Sequence, residues 1–175
     1  AVLLAWPLVA RRAGGGALEI HAIDVGQGDA FAIRTPDRRW ILVDAGPRTD
    51  RYDAGRARVV PYLLRHGVRR VDALILTHPD ADHIGGAAAV LEAFDVGVIV
   101  DPGRAAGKPL YVDLLKDAAA ARVQWREARS GRELRAGDVV LHFLYPDGAR
   151  DSLDGPANAN DLSAVFRLTY GGFAA

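Results

Sequence analysis

The 175-residue sequence contains no cysteine and no methionine. Without cysteine there is no disulfide, no thiolate metal ligand and no sulfur nucleophile, so a bound metal must be held by histidine and carboxylate. A cysteine-free chain folds in either redox environment, so the compartment stays open. Net charge is absent too: 22 basic residues face 22 acidic ones, which removes any general attraction to nucleic acid or to an anionic membrane. Lysine is scarce, standing only at 108 and 116 in a chain otherwise rich in arginine. No apolar run reaches the roughly 20 residues that a membrane-crossing helix requires. The opening AVLLAWPLV is wholly apolar but short, and is followed by Arg11 and Arg12. With no methionine at its start, the chain reads as a piece of a longer polypeptide. Residues 1–16 then read as the end of a preceding transmembrane helix, with the arginine pair at the membrane edge and Gly14, Gly15 and Gly16 as linker. The alternative is a surface segment folded back on the core.

Half of the residues are hydrophobic and a quarter charged, enough for one globular domain over 17–175. Three short strand-like runs, 17–25, 30–35 and 40–46, are joined by GQGD and PDRR turns and predict a meander. Helical spacing of Ala57, Val60, Leu63 and Leu64 predicts a helix between Asp53 and His66, with Pro61 either kinking it or marking its true start. A strand at 71–77, a helix from about Ile84 to Phe94, a strand at 96–103 and a helix at 111–121 follow. Strands around RVQWREA, at 138–146 and at 163–171 complete the pattern, the last two separated by a polar loop at 147–161. A meander followed by strand–helix alternation indicates a mixed α/β (α+β) domain.

The chemistry concentrates in LTHPDADHIGG, residues 76–86. Four ligand-type side chains, His78, Asp80, Asp82 and His83, fall within six positions at the mouth of an apolar strand. Pro79 biases His78 to an extended conformation, so His78 and Asp80 project to one side. Asp82 and His83 then stand at the turn into the next helix. The pattern suits two adjacent metals, one taking His78 and Asp80, the other Asp82 and His83, and Gly85 and Gly86 permit close backbone approach. Helix capping by Thr77, Asp80 or Asp82 accounts for one aspartate but not for two flanking histidines.

This stretch resembles the H-x-[HD]-x-D-H motif of the metallo-β-lactamase superfamily, and Asp44-Ala45-Gly46 resembles its earlier D-[TA]-G. Within the superfamily, DVGQGDA (24–30), the run from Val59 through Gly86 and NDLSAVFRLTYG (160–171) resemble the hydrolase-like domain of ComEC-type competence proteins. The resemblance implies an αββα sandwich, truncated here at its C-terminus, and a metal-dependent hydrolase, a nuclease in DNA uptake. It implies two divalent ions, Mn2+ or Zn2+, with Asp80 in place of a usual histidine hardening the site. It also implies that an LTGD-like aspartate and a later histidine complete the centre, and neither occurs in this sequence. The fragment is accordingly expected to bind metal weakly and to be inactive. By the same resemblance Asp82 and Asp44 belong to the catalytic apparatus, Asp44 by orienting ligands. Gln27 and Asp29 either position water and substrate or simply form a tight turn. Asn160 and Ser163 either contact substrate phosphate or cap a strand entrance. DNA is the implied substrate, the membrane channel of the same polypeptide and other uptake components the implied partners, and the bacterial cell membrane the implied location. Hydrolysis of another phosphodiester or ester, and a DNA- or metal-binding module without turnover, are the alternatives. Ten arginines between Arg34 and Arg70, against four aspartates, offer either a track for a DNA backbone or solvated helix faces.

Overall fold

The computed structural model describes residues 10–11, 16–103, 108–147 and 163–175. Its largest element is a seven-stranded sheet in the order β1-β2-β3-β4-β6-β8-β9. Strands β1 (Ala10–Arg11), β2 (Ala17–Ala22), β3 (Phe31–Arg34) and β4 (Trp40–Val43) run antiparallel to one another, the expected meander plus a short edge strand. From β4 onward the sheet is parallel, through β6 (Ala73–Ile75), β8 (Val98–Asp101) and β9 (Gln124–Glu127). The three central parallel strands are buried along their whole length, which is why they read as unbroken apolar runs rather than alternating ones. A small pair, β5 (Arg70–Val71) and β7 (Asp95–Val96), lies outside the main sheet.

A second, antiparallel sheet comprises β10 (Glu133–Ala136), β11 (Val139–Tyr145), β12 (Val165–Tyr170) and β13 (Phe173–Ala174). In β11 burial alternates, with Val139, Leu141 and Phe143 turned inward, as one-sided packing requires. Two apolar clusters fill the spaces between layers. One joins the helices to the larger sheet through Leu42, Leu74, Ile99, Leu63 and Val90, among others. The other, with Ile41, Ile75, Val100, Leu141 and Leu168, lies between the two sheets and contains no helical residue. Leu74 and Ile75 are neighbours on β6 that face opposite clusters, so truncating either to alanine costs about 2–5 kcal/mol. The described residues thus form three layers, helices on sheet on sheet.

The helices depart from the sequence expectation in two places. Between Asp53 and His66 a π-helical turn, Gly55–Val59, precedes α1 (Val60–Arg65), and Pro61 sits in the first turn of α1. Proline marks the start of the α-helix there because the first turn needs no donor from it. The helix expected from Ile84 to Phe94 is instead two, α2 (Ala81–Ile84) and α3 (Ala87–Ala93). The break falls at Gly85-Gly86, where side chains would collide with the backbone of Ala45, Arg48 and Gly55. The last helix, α4 (Pro109–Ala120), crosses from β8 to β9. None of the described helices is long and apolar enough to cross a membrane. The proposed membrane-edge segment lies largely outside the described residues, apart from Ala10 and Arg11 in β1 and Gly16.

Candidate metal centre

Three adjacent parallel strands, β4, β6 and β8, deliver Asp44, Thr77-His78 and Asp101 at their C-terminal ends. Ligand sites in parallel sheets gather there because the connecting loops leave from that edge. Asp44 is buried and adopts φ 56, a left-handed conformation that aspartate tolerates better than most residues. Its carboxylate accepts the backbone N–H of Thr77 at 2.8 Å, the hydroxyl of Thr77 at 2.7 Å and Nδ1 of His83 at 2.9 Å.

These bonds fix both imidazole tautomers. A carboxylate only accepts, so His83 carries its proton on Nδ1 and leaves Nε2 as the lone-pair nitrogen. The single Thr77 hydroxyl proton is likewise committed to Asp44, so Thr77 Oγ1 accepts from Nδ1 of His78 at 3.0 Å. Both histidines are thereby held with Nε2 available, the orientation a metal ligand needs. Their rings lie 3.9 Å apart between centroids. Each Nε2 faces one carboxylate: His78 is 3.9 Å from Asp80 Oδ2, and His83 is 3.8 Å from Asp82 Oδ2. Those separations lie within the roughly 4.2 Å that two bonds of about 2.1 Å can bridge. The donor chemistry and its backing would suit a divalent metal held by His78 with Asp80 or by Asp82 with His83. Among the described residues, however, no three such side chains converge on one point, so each pair would be half of a coordination shell.

Charge within the cluster divides the two rings. Burial pushes the His78 pKa down, with neighbouring His83 adding to the effect against the pull of Asp44, Asp80 and Asp82. Burial also acts against a charged His83, but the Asp44 hydrogen bond and the charges of Asp44, Asp82 and Asp29 outweigh it and raise the pKa.

The remaining predicted residues surround this centre unequally. The 26–29 loop is packed on α2 so tightly that a Cβ at Gly28, whose φ is +103, would collide with the carbonyl oxygen of Asp82. Asp29 is thereby brought to 3.9 Å from Nδ1 of His83, and its carbonyl accepts the N–H of Gly46. Gln27 is exposed at the same loop. Ser163 lies next to Ala164, whose N–H donates to the carbonyl of Thr77 at 2.7 Å, so the start of the second sheet's β12 abuts the centre. Asn160 lies outside the described residues. No side-chain cap bond is made at α2 or α3, so capping does not explain Asp80 or Asp82.

Other histidines stand apart. His142 lies on β11 between Glu133 and Thr169, while His21 and His66 pack with Tyr62 and Trp40. Of the ten arginines from 34 to 70, Arg34, Arg39, Arg48, Arg56 and Arg70 are in ion pairs, which favours solvated faces over a DNA track. Two residues had escaped the sequence reading. The role of Thr77 follows only from its contact with Asp44, although its place between strand and His78 was a usable signal. Lys108, whose ammonium pairs with Asp80 Oδ1, comes from 28 residues downstream, and only the rarity of lysine marked it.

Comparison with solved structures places the architecture among metallo-β-lactamases. A metallo-β-lactamase from Cronobacter sakazakii matches with TM-score 0.54 at 15% identity, covering 87% of this chain and 56% of that one. Zn(2+)-bound PqqB from Methylobacterium extorquens matches with TM-score 0.56 at 14% identity, covering 83% and 50%. At that identity the likeness speaks for the fold alone. Among curated proteins, ComE operon protein 3 of Bacillus subtilis is 32% identical over 89% of this chain and 21% of its own length. Competence protein ComA of Neisseria gonorrhoeae is 34% identical over 86% of this chain and 18% of its own. The chain thus spans about a fifth of these relatives. The metallo-β-lactamase superfamily profile matches residues 23–154, and the chain belongs to that superfamily.

Proposed function

We propose that this chain is the metal-dependent hydrolase domain of a DNA-uptake protein of the bacterial cell membrane, and that it hydrolyses phosphodiester bonds of incoming DNA. The observation that carries the hydrolase reading is the Asp44–Thr77 pair, which fixes both imidazoles with Nε2 beside a carboxylate. The competence relatives support DNA as substrate. His78 with Asp80, and Asp82 with His83, would hold two divalent ions, Mn2+ or Zn2+. Such ions supply Lewis-acid stabilisation of the attacking and leaving oxygens of a phosphodiester.

The chain's own residues do the rest. Asp44 holds the His83 proton on Nδ1 and, through Thr77, that of His78. Asp29 and Gln27 form the rim above His83, where an acceptor and an amide can orient water or substrate. Ser163 precedes Ala164, whose N–H holds the Thr77 carbonyl at the mouth of β6. The ligands that complete each shell, and the membrane channel that feeds the site, belong in this reading to the remainder of the competence-type polypeptide.

The test is cleavage of labelled single- and double-stranded DNA in Mn2+, by this chain and by a protein extended to the length of its competence relatives. The extended protein is expected to cut, and His78→Ala and Asp82→Ala to lower the rate at least a hundredfold, about 3 kcal/mol of barrier. No cutting, or cutting indifferent to both substitutions, would sink the nuclease reading. A binding module without turnover draws on the two-by-two grouping of the ligands. Metal-independent DNA affinity in the extended, non-cutting protein is the result that favours it.

A further inference from the structure

We infer that Lys108 is the substrate-anchoring residue of this centre, its ammonium holding a non-bridging phosphate oxygen of the strand to be cut. The assignment rests on the phosphodiesterase reading above.

Twenty of the 22 basic residues are arginine, so a lysine at the centre runs against the chain's own usage. Its position is built rather than incidental. The Lys108 carbonyl, at the N-cap of α4, accepts the N–H groups of Tyr111 and Val112 at 3.1 and 3.2 Å. The Tyr111 hydroxyl in turn donates to Asp101, a carboxylate buried at the end of β8 that also accepts Trp125 Nε1 at 2.7 Å and the Gly103 N–H at 3.0 Å. Lys108 therefore starts from a backbone fixed to the same sheet edge that carries His78.

Its side chain crosses to Asp80 and divides that carboxylate by function: Oδ1 takes the ammonium while Oδ2 faces Nε2 of His78. The charge is thus held one carboxylate's width from a metal position without using the metal-facing oxygen. An ammonium carries three donors, of which one is spent on Asp80, and the side chain remains 37% exposed. Compact, mobile charge of this kind suits a phosphate that must bind and leave. An arginine fork would match Asp80 with both arms and stay on it.

The test pairs two titrations of the Mn2+-loaded protein, extended as above, comparing wild type with Lys108→Met and Lys108→Arg. The first follows a fluorescent single-stranded oligonucleotide with a cleavage-resistant phosphorothioate backbone across a salt series. The second follows Mn2+ alone. Lys108→Met is expected to weaken oligonucleotide binding about tenfold. It should also flatten the salt dependence by about 0.7 in log–log slope, the share of one phosphate contact on a single strand. Lys108→Arg, held on Asp80 by both arms, is expected to recover little of the slope, and Mn2+ affinity not to fall in either variant. Unchanged oligonucleotide affinity and slope in Lys108→Met overturns the assignment. So does a loss confined to Mn2+ affinity, which would make Lys108 a support for Asp80. Cleavage by the wild type reports separately on the nuclease reading.

Discussion

Asp44 serves three donors with one carboxylate, and its loss is expected to be felt in stability and in metal affinity together. Asp44→Ala leaves the N–H and hydroxyl of the half-buried Thr77 unpaired and frees the His83 ring. An unfolding midpoint should report a cost of about 3 kcal/mol. Thr77→Val separates the two effects. It keeps the shape and Asp44's bonds to the Thr77 N–H and His83, but removes the proton relay to His78, so stability should change by about 1 kcal/mol while Mn2+ affinity falls tenfold or more by calorimetry.

His21 supplies a pH test away from the centre. Its Nε2–H donates to Glu19 at 3.2 Å, and Nδ1 accepts the Tyr62 hydroxyl at 2.8 Å, so the neutral ring is satisfied at both nitrogens. Burial pushes its pKa below the ordinary value, with Glu19 pulling back in part. A lowered folded pKa means that the His21 contribution is full above the unfolded value of about 6.5 and is lost as pH falls through the folded one. Urea midpoints at about pH 8 and about pH 5 should therefore differ more in the wild type than in His21→Gln. Equal differences would show that His21 carries none of the acid sensitivity.

At the scale of elements, the centre is a junction of a strand end, a one-turn helix and a loop. Gly28 makes that junction close. Gly28→Ala meets both a φ of +103 and the Asp82 carbonyl, so it must move the 26–29 loop off α2. Gly26→Ala is the control, because its φ is +83 but nothing lies within 4 Å of the added carbon. The control should cost about 1 kcal/mol, and Gly28→Ala clearly more, with weakened Mn2+ binding besides, read by urea titration and calorimetry.

Elements also show where sequence reasoning succeeded and where it stopped. The strand into His78 was legible because it is local: one apolar run and one proline decide it, with His78, Asp80, Asp82 and His83 in six consecutive positions. The break between α2 and α3 was not, since Gly85 and Gly86 alone do not say which backbone will press on them. Lys108 and Asp101 were invisible for the same reason at longer range. Their meaning depends on β8 lying beside β6, a pairing that local periodicity does not encode. Recognition of the superfamily supplied the layer order and singled out Asp44, which a turn aspartate before glycine would not have done.

For the whole molecule, metal should act as a ligand of the folded state. If each pair is half a shell, Mn2+ will stabilise this chain little and the extended protein considerably. Stabilisation follows RT ln(1 + [L]/Kd), about 2.7 kcal/mol at a hundredfold excess over Kd. Thermal unfolding with and without Mn2+ should show a shift of several degrees in the extended protein, abolished by chelator and by His78→Ala. A comparable shift in the 175-residue chain would mean that the pairs already bind as they stand.

The order of residues along the chain is also the order of synthesis. Asp44, Thr77 and the run from His78 to His83 all precede α3, whereas the strands of the second sheet, β10 to β13, come later. Domains emerge from the ribosome N-terminus first, so Asp44, Thr77 and the His78–His83 run leave the exit tunnel before the strands of the second sheet. The Asp44 bonds to Thr77 and His83 can then form early in a nascent chain, and the second sheet packs afterwards on a larger sheet already begun.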